Sequence, residues 1–129
     1  MEKMLNLCSF EQAQRLKKAG FDWETKEFYQ KNNPLFVCFI TYKYNHNDND
    51  DAFGHITAPT VALALKWFRD EKGIRGFVLQ GNRKNYKIFA DFDNGVNSGN
   101  YNLEYNYFDT YEAAESTLLD ELLNILEKK

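Results

Sequence analysis

Apolar residues recur every three to four positions in two segments, one near the start of the chain and one near its middle, a spacing typical of helices that pack on a core. The first segment follows Ser9, whose hydroxyl can cap a first turn while the Gln12 side chain reaches back, as in a capping box. This pattern predicts a helix over residues 10–19. The second segment follows Thr60 and stops at Gly73, a residue type that commonly ends helices. We therefore expect two amphipathic helices here.

A third helical pattern occupies residues 111–127. Its start carries two alternative caps: Asp109 with Glu112 as a second capping box, or Thr110 alone. Apolar positions cover roughly half of its circumference, more than contact with one sheet requires. We therefore predict a homodimer that uses this helix. The expected contact residues are Leu119, Leu123 and Leu126.

Strand patterns dominate the middle of the chain. The segment Leu35–Tyr44 is dense in β-branched and aromatic residues and begins with an apolar run, so we expect a central strand covered on both faces. Further strands are predicted around Phe28–Tyr29 and over residues 53–57, 74–79, 86–92 and 101–107. The 74–79 and 86–92 segments form a predicted hairpin, and residues 93–100 are rich in turn formers.

The last predicted strand shows the clearest alternation in the chain, because Tyr101, Leu103, Tyr105 and Tyr107 alternate with polar residues. Tyrosines on a sheet can stack nucleic-acid bases or anchor a protein partner. One face of an α+β sheet is covered by helices, however, and we interpret the tyrosine row as that covered face. An exposed row would instead indicate a binding surface with Tyr101 and Tyr105 as contacts.

Together these elements predict an α+β fold with one antiparallel meander sheet of five or six strands. We expect the second and last helices on one face of the sheet, and the first helix at an edge or on the other face. The chain has 129 residues, of which 43% are hydrophobic and 27% charged. This size and composition predict one globular domain over residues 1–129.

The three helix starts share a pattern of a hydroxyl cap, a bulky residue, two variable positions and an alanine. The instances are Ser9–Ala13, Thr60–Ala64 and Thr110–Ala114. One interpretation is a weak duplication of a strands-then-helix unit. The alternative, which we favour, is that capped helices on a sheet converge on such a start, because two units are fewer than repeat architectures require.

The net charge is −3, too acidic for a protein that contacts a phosphate backbone along its whole surface. Between Lys66 and Lys87, however, seven basic residues face two acidic ones, so this segment carries +5 and the rest of the chain −8. We favour a solvated surface as the explanation. The alternative is a nucleic-acid-associated module. Its predicted phosphate contacts are Lys66, Arg69, Lys72, Arg83, Lys84 and Lys87.

Signals for catalysis or metal binding are weak. His46, Asp48 and Asp50 offer imidazole and carboxylate ligands in one polar loop, but the order of residues is not that of a calcium loop. No strand-to-helix nucleophile elbow and no phosphate-binding glycine loop is present in the sequence. We therefore expect a solvated loop, no cofactor and no catalysis, and keep a metal site or an enzyme as a third reading.

Cysteine usage and hydropathy bear on the cellular compartment. Cys38 lies in an apolar run and is expected to be a small buried hydrophobe, and Cys8 stands alone ahead of the first helix. Two cysteines give no disulfide framework or zinc spacing. The sequence shows neither a secretory apolar run nor 18 consecutive apolar residues. We expect a cytoplasmic protein that does not enter membranes.

The short signals around the helices resemble a group of small uncharacterised proteins of gut Bacteroidetes and of their phages and mobile elements. The matching segments are Ser9–Ala13 with Leu16–Asp22, Ala58–Thr60 with Ala64 and Trp67–Arg69, and Thr110–Glu115. The resemblance implies a cytoplasmic accessory protein and carries over no functional residue. Together with the absent catalytic motifs, it predicts an accessory protein that acts by binding another protein.

Overall fold

A computed structural model describes residues 6–31, 33–47, 54–81, 85–93, 95–101, 103 and 107–128. Contacts divide the chain after Thr60 into two compact units, and we describe each unit by itself. Helices and antiparallel sheets occupy separate stretches of the sequence, which confirms the α+β class. The expectation of one domain stays a prediction.

The first unit begins with helix α1, Phe10–Ala19, at the predicted bounds. The capping box is confirmed: the Ser9 hydroxyl accepts from the Gln12 backbone N–H at 3.1 Å, and the Ser9 N–H donates to the Gln12 side chain at 2.9 Å. Gly20 ends the helix with φ 100°, a left-handed conformation that favours glycine. Local sequence therefore determines both ends of α1.

The sheet of the first unit contains β1 (Thr25–Gln30), β2 (Asn33–Tyr44) and β3 (His55–Thr57). All pairs are antiparallel and the order is β2-β1-β3, so β1 is the central strand. The prediction that Leu35–Tyr44 is central is wrong. Phe28 and Tyr29 of β1 lie on opposite pleat faces and are both buried, which identifies the strand that is covered on two sides.

The second unit contains α2 and a single π-helical turn, then a hairpin, a short strand and a long helix. The bounds are α2 Val61–Trp67, the π-helical turn Phe68–Lys72, β4 Ile74–Gln80, β5 Tyr86–Asp93, β6 Ser98–Tyr101 and α3 Tyr111–Glu127. Gly73 ends the π-helical turn with φ 66°, and the predicted hairpin of β4 and β5 is confirmed. Thr110 caps α3 by accepting from the Ala113 N–H at 3.1 Å, so Thr110 is the cap of the two alternatives.

The prediction of one meander of five or six strands is wrong. The strands form two three-stranded sheets, one in each unit, and no ladder joins β1–β3 to β4–β6 among the described residues. Hydrophobic alternation identifies strands but not which strands pair, and this explains the error. The first strand is central in the first sheet, whereas the second strand is central in β4-β5-β6, an order that a duplicated unit does not predict.

The third strand of the second sheet begins earlier than predicted. β6 occupies Ser98–Tyr101, inside the segment expected to be a turn, and Gly99 pairs with Phe92 of β5. A Cβ on Gly99 would lie 2.9 Å from the Phe92 ring, so the glycine lets the ring lie over this strand. Tyr101 is half-buried, whereas Tyr107 is 62% exposed, so the prediction of a covered tyrosine row is wrong at Tyr107. Tyr105 lies outside the described residues.

One face of the β4-β5-β6 sheet contributes to the core of the second unit. Its buried residues include Ile74 of β4 and Ile88 and Ala90 of β5. On the same face, the α3 side chains of Leu118 and Leu122 approach Gly76 so closely that a Cβ there would lie 3.0 to 3.1 Å from their methyl groups. Helices α2 and α3 both contact β4, as predicted for the second and last helices. In the part of the chain that the structure describes, no helix is long and apolar enough to cross a membrane.

Candidate functional site

The opposite face of the β4-β5 hairpin carries a different set of side chains. Register pairs β4 with β5 so that three cross-strand pairs lie side by side on this face. We call their residues the open sheet face: Arg75 with Asp91, Phe77 with Phe89, and Leu79 with Lys87. The face is defined by strand alternation, since its members occupy every second position on both strands.

The centre of the open sheet face is apolar and accessible to solvent. The Phe77 and Phe89 rings stack with centroids 5.6 Å apart and an interplanar angle of 18°. Phe77 is 40% exposed, Phe89 37% and Leu79 52%. Stacking gives the two rings a fixed orientation, and apolar area left in water is stabilised when a partner covers it. This patch is therefore suited to contact another molecule.

An ion pair lies at one end of this apolar centre and a cation lies at the other. The Arg75 guanidinium donates to both carboxylate oxygens of Asp91, from Nε at 2.8 Å and from Nη2 at 3.1 Å. At the other end, the Lys87 ammonium lies 5.1 Å from the centroid of the Tyr107 ring. Lys87 and Asp91 are four residues apart on one strand, about 13 Å, with Phe89 midway between them.

A groove of about 320 Å³ runs along the outer edge of β4, and we call it the β4 groove. Its lining residues are Ala62, Leu65, Lys66, Arg69, Arg75, Gly76, Phe77, Tyr111 and Glu115. Helices α2 and α3 supply its walls, and β4 supplies its floor. Because Gly76 has no side chain, backbone forms part of the floor at this point.

Three of the lining side chains of the β4 groove are cationic. Lys66 and Arg69 both form ion pairs with Asp70, and their hydrogen bonds hold the pKa of Asp70 below its usual range. Glu115 is the acidic residue of the lining and is almost fully buried. Burial raises the pKa of the Tyr111 phenol, and the nearby Glu115 carboxylate raises it further. The groove therefore has a cationic rim and a single carboxylate inside.

The structure divides the predicted basic segment between several places. Lys66 and Arg69 lie together in the β4 groove, Lys87 lies on the open sheet face, and the Lys72 ammonium lies 5.3 Å from the centroid of the Trp67 ring. Arg83 and Lys84 lie outside the described residues. Tyr101 packs against Phe92, with centroids 5.2 Å apart, and lines a depression of about 270 Å³ that Phe77 and Phe89 of the open sheet face also line.

Sequence reasoning missed the residues that are central to both surfaces, namely Phe77, Leu79, Phe89, Arg75 and Gly76. The residues from Ile74 to Leu79 are apolar on both pleat faces apart from Arg75, so alternation did not separate an exposed side from a buried one. The available signal was the hairpin register. Folding the two arms about their polar turn places Phe77 opposite Phe89.

The residues predicted to form a helix-mediated dimer are largely used within the chain. Leu119 is fully buried and Leu123 is 1% exposed, whereas Leu126 is half-buried. The wide apolar arc of α3 is thus occupied by core packing, since α3 contacts α2, β4 and β5. This corrects the assignment of Leu119 and Leu123 to a subunit interface.

The candidates for nucleophilic or metal chemistry have structural roles. Cys8 is fully buried, and desolvation raises the pKa of its thiol to about 12, so the reactive thiolate is strongly disfavoured at neutral pH. His46 is buried, stacks on Phe28, and places Nε2 3.0 Å from the Thr25 carbonyl oxygen. Asp48 and Asp50 lie outside the described residues. Within the described ranges, no three His, Cys, Asp or Glu residues cluster as metal ligands.

Comparisons with known proteins add no family to this picture. No family model, no curated protein and no solved structure matches the chain. Function is therefore inferred from the geometry of the open sheet face and the β4 groove.

Proposed function

We propose that this chain acts by binding protein rather than by catalysis, and that the open sheet face is a contact surface. The observation that carries the proposal is the exposed Phe77–Phe89 stack, which has the Lys87 ammonium on one side and the Arg75–Asp91 ion pair on the other. Exposed aromatic residues with charges at their periphery are typical of protein contact sites. The partner that we assign to this face is a second copy of the chain.

The arrangement of charges on β5 supports self-association. Lys87 and Asp91 lie at equal distances on either side of Phe89. If two open sheet faces pack about a two-fold axis perpendicular to the strands, Phe89 lies over its own copy and each Lys87 lies over Asp91 of the other copy. Such an interface is isologous and closed, so it limits assembly to a dimer. This dimer replaces the helix-mediated one predicted from the sequence.

The size of the apolar centre indicates a weak dimer. Phe77, Leu79 and Phe89 are partly exposed, and interfaces of limited area belong to the transient class, below about 1,200 Å² in total. We therefore expect a concentration-dependent equilibrium between monomer and dimer that salt shifts towards monomer.

Sedimentation equilibrium over a wide concentration range tests this assignment. Lys87→Glu and Asp91→Lys should each weaken the dimer, because each places like charges against one another. An equimolar mixture of the two variants should restore association, since both charge pairs are then attractive. Lys18→Glu, on the exposed side of α1, is the matched control and should leave the equilibrium unchanged. A strictly monomeric wild-type chain, or a mixture that fails to associate, contradicts the assignment.

The cellular setting of this binding activity is also a proposal. An accessory role in a phage or mobile element is supported by the resemblance of the helix starts alone. Proteomic detection of the chain only during phage replication or element transfer would support it, whereas constitutive expression from a stable chromosomal locus would contradict it.

A nucleic-acid-associated module is the second candidate, because Arg75 and Lys87 lie beside a stacked aromatic pair on one sheet face. Aromatic rings with nearby cations bind single strands by stacking and by phosphate contacts. Asp91 and Asp93 lie on the same strand and oppose such binding. Fluorescence anisotropy with a labelled oligothymidylate decides: binding at low salt that Phe89→Ser abolishes supports this candidate, and no low-salt binding eliminates it.

A further inference from the structure

We infer that the outer edge of β4 and the β4 groove form a docking site for an extended acidic peptide segment of a partner protein, which adds to the sheet as a fourth strand. This inference rests on the proposed protein-binding function and uses a strand edge that shares Arg75 and Phe77 with the open sheet face. The observations that carry it are the backbone direction at this edge, the groove beside it and the charge of the groove lining.

The backbone direction follows from the hairpin ladder. The Asp93 N–H donates to the Gly73 carbonyl at 3.0 Å, and the Gly81 N–H donates to the Asn85 carbonyl at 2.7 Å. Hydrogen-bonded pairs alternate along an antiparallel ladder, so the odd-numbered residues between 73 and 81 bond to β5. The backbone groups of Gly76 and Val78 therefore point away from β5.

Nothing in the described ranges uses this edge as a strand. β4 is the end of the order β4-β5-β6, and no described strand pairs with it on the other side. A β-strand edge with outward N–H and C=O groups is a template for a further strand. An added strand would gain main-chain hydrogen bonds at Gly76 and Val78.

The β4 groove provides side-chain selectivity for such a strand. Alternate side chains of a strand added to β4 point towards the side of the sheet where α2 and α3 pack. The groove lies along this edge, with Ala62 and Leu65 on one wall and Tyr111 on the other. Its volume of about 320 Å³ is at the small end of binding pockets, which suits one or two side chains rather than a folded surface.

Charge complementarity assigns acidic side chains to the added strand. Arg69 uses Nε for Asp70, and Arg75 uses Nε and Nη2 for Asp91. Within the described part of the chain, the remaining guanidinium N–H groups of these two residues have no hydrogen-bond partner. Arginine presents several donors in a planar fork that matches a carboxylate. Acidic side chains on the helix side of the added strand would reach Arg69, and those on the other side would reach Arg75, which belongs to the open sheet face.

A peptide fits this site better than a nucleic acid. The row of outward backbone groups on β4 matches the main chain of another strand, whereas a sugar-phosphate backbone has no corresponding donors. Nucleic acid is therefore an outcome that the experiment has to exclude.

Nuclear magnetic resonance titration of the full chain tests the inference with two synthetic peptides. Both have seven residues and blocked ends; valine alternates with glutamate in one and with lysine in the other. At low salt we expect the glutamate peptide to bind about tenfold tighter than the lysine peptide. The amide signals of Gly76 and Val78 should shift and their hydrogen exchange should slow, because both become hydrogen-bonded. Equal binding of the two peptides, or shifts confined to other strands, overturns the inference.

Two sets of variants locate the binding. Val78→Pro removes an outward N–H without removing a ladder hydrogen bond, and should weaken the glutamate peptide by about fivefold or more. Val78→Ala also removes the valine side chain but keeps the N–H, and should bind the glutamate peptide as the wild type does. The double variant Lys66→Glu and Arg69→Glu, at exposed positions, should reverse the preference in favour of the lysine peptide. If Val78→Pro does not fold, the peptide preference of the double variant tests the docking site by itself. A preference that does not reverse then contradicts the docking site.

Two further measurements separate this inference from the proposed dimer. Phe89→Ser should abolish dimerisation without changing peptide affinity. Val78→Pro should weaken peptide binding without changing dimerisation. Peptide binding by a monomeric chain leaves the docking site intact while removing the dimer. A chain that dimerises but binds neither peptide contradicts the docking site alone. Competition by oligothymidylate for the shifts at Gly76 and Val78 would assign the edge to nucleic acid and overturn the inference.

Discussion

The two sheets of this protein use aromatic side chains in different ways. In the first unit, the Phe28 ring of the central strand packs against two imidazoles, with centroids 4.5 Å from His46 and 4.3 Å from His55. On the other face, the Tyr29 phenol donates to the Cys8 carbonyl at 2.7 Å and its ring meets Phe10 edge-on. Both faces of β1 are therefore covered.

In the second unit, by contrast, the aromatic pair on β4 and β5 is exposed to solvent. Ile74, Ile88 and Ala90 fill one face, whereas Phe77 and Phe89 stack on the other face and stay accessible. Aromatic content alone therefore does not separate core from contact surface. Each sheet has a central strand with aromatic residues, and the sheet of the second unit exposes a stacked pair of them.

The largest expected effect comes from truncating one phenylalanine in each sheet. Phe28→Ala should lower the free energy of unfolding by about 3–5 kcal/mol, because removal of a buried ring leaves a cavity beside the two imidazoles. Phe89→Ala should lower it by less than about 1 kcal/mol, since that ring is already partly in water. Urea unfolding of both variants at a protein concentration that keeps the chain monomeric measures the two costs. Similar losses of unfolding free energy would show that the Phe28 and Phe89 rings do not differ in burial.

The next effect concerns the alkaline stability of the first unit. Burial raises the pKa of the Cys8 thiol from 9.0 to about 12. Above pH 9 the thiol loses its proton in the unfolded chain and keeps it in the folded chain, so deprotonation favours unfolding. The contribution of this thiol to the free energy of unfolding is therefore fully present below pH 9 and is lost as the pH approaches 12. At pH 10.5 the loss should be about 2 kcal/mol relative to pH 8. Cys8 also contributes to the raised pKa of Tyr29, so the comparison is made in a Tyr29→Phe background. Urea unfolding of that chain with Cys8 and with Cys8→Ala at both pH values then isolates the thiol.

A smaller effect separates a buried phenol from an exposed one. Tyr29→Phe removes the donor to the Cys8 carbonyl and should cost about 1 kcal/mol of unfolding free energy. Tyr107→Phe, at a 62% exposed ring of the second unit, should change stability by less than about 0.5 kcal/mol. Thermal unfolding of the two variants provides the comparison. Equal shifts in Tm would mean that the Tyr29 hydrogen bond adds no stability.

Much of the local structure was predictable from the sequence because it depends on short-range chemistry. Ser9 and Gln12 determine the start of α1, Thr110 caps α3, and Gly73 ends the π-helical turn before β4. The hairpin of β4 and β5 also follows from two apolar runs around a polar turn. In each case, the residues that specify the structure are neighbours in sequence.

The sheet order and the candidate sites were not predictable in the same way. Which strand is central depends on pairings between distant segments, and a long apolar strand such as β2 can occupy an edge. Leu119 and Leu123 belong to the same apolar arc whether their own chain or a second subunit covers them. Their burial in the folded chain distinguishes these two cases. The β4 groove needs α2, β4 and α3 together, so Lys66 and Arg69 carried no sequence signal that Arg75 would join them.

The smallest expected effect on folding is also the most specific for the open sheet face. Leu79 is 52% exposed, so Leu79→Thr should change the free energy of unfolding by less than about 0.5 kcal/mol while keeping a residue that suits a strand. In the proposed dimer two copies of Leu79 become covered, and each lost leucine costs about 1 kcal/mol, which weakens the dimer about tenfold or more. Val96→Thr is the matched control, because Val96 is 87% exposed and lies outside this face, so both quantities should stay unchanged. Sedimentation equilibrium combined with urea unfolding distinguishes the outcomes. A loss of folding stability at Leu79 would make this side chain part of the core, and an unchanged dimer would place the subunit contact elsewhere.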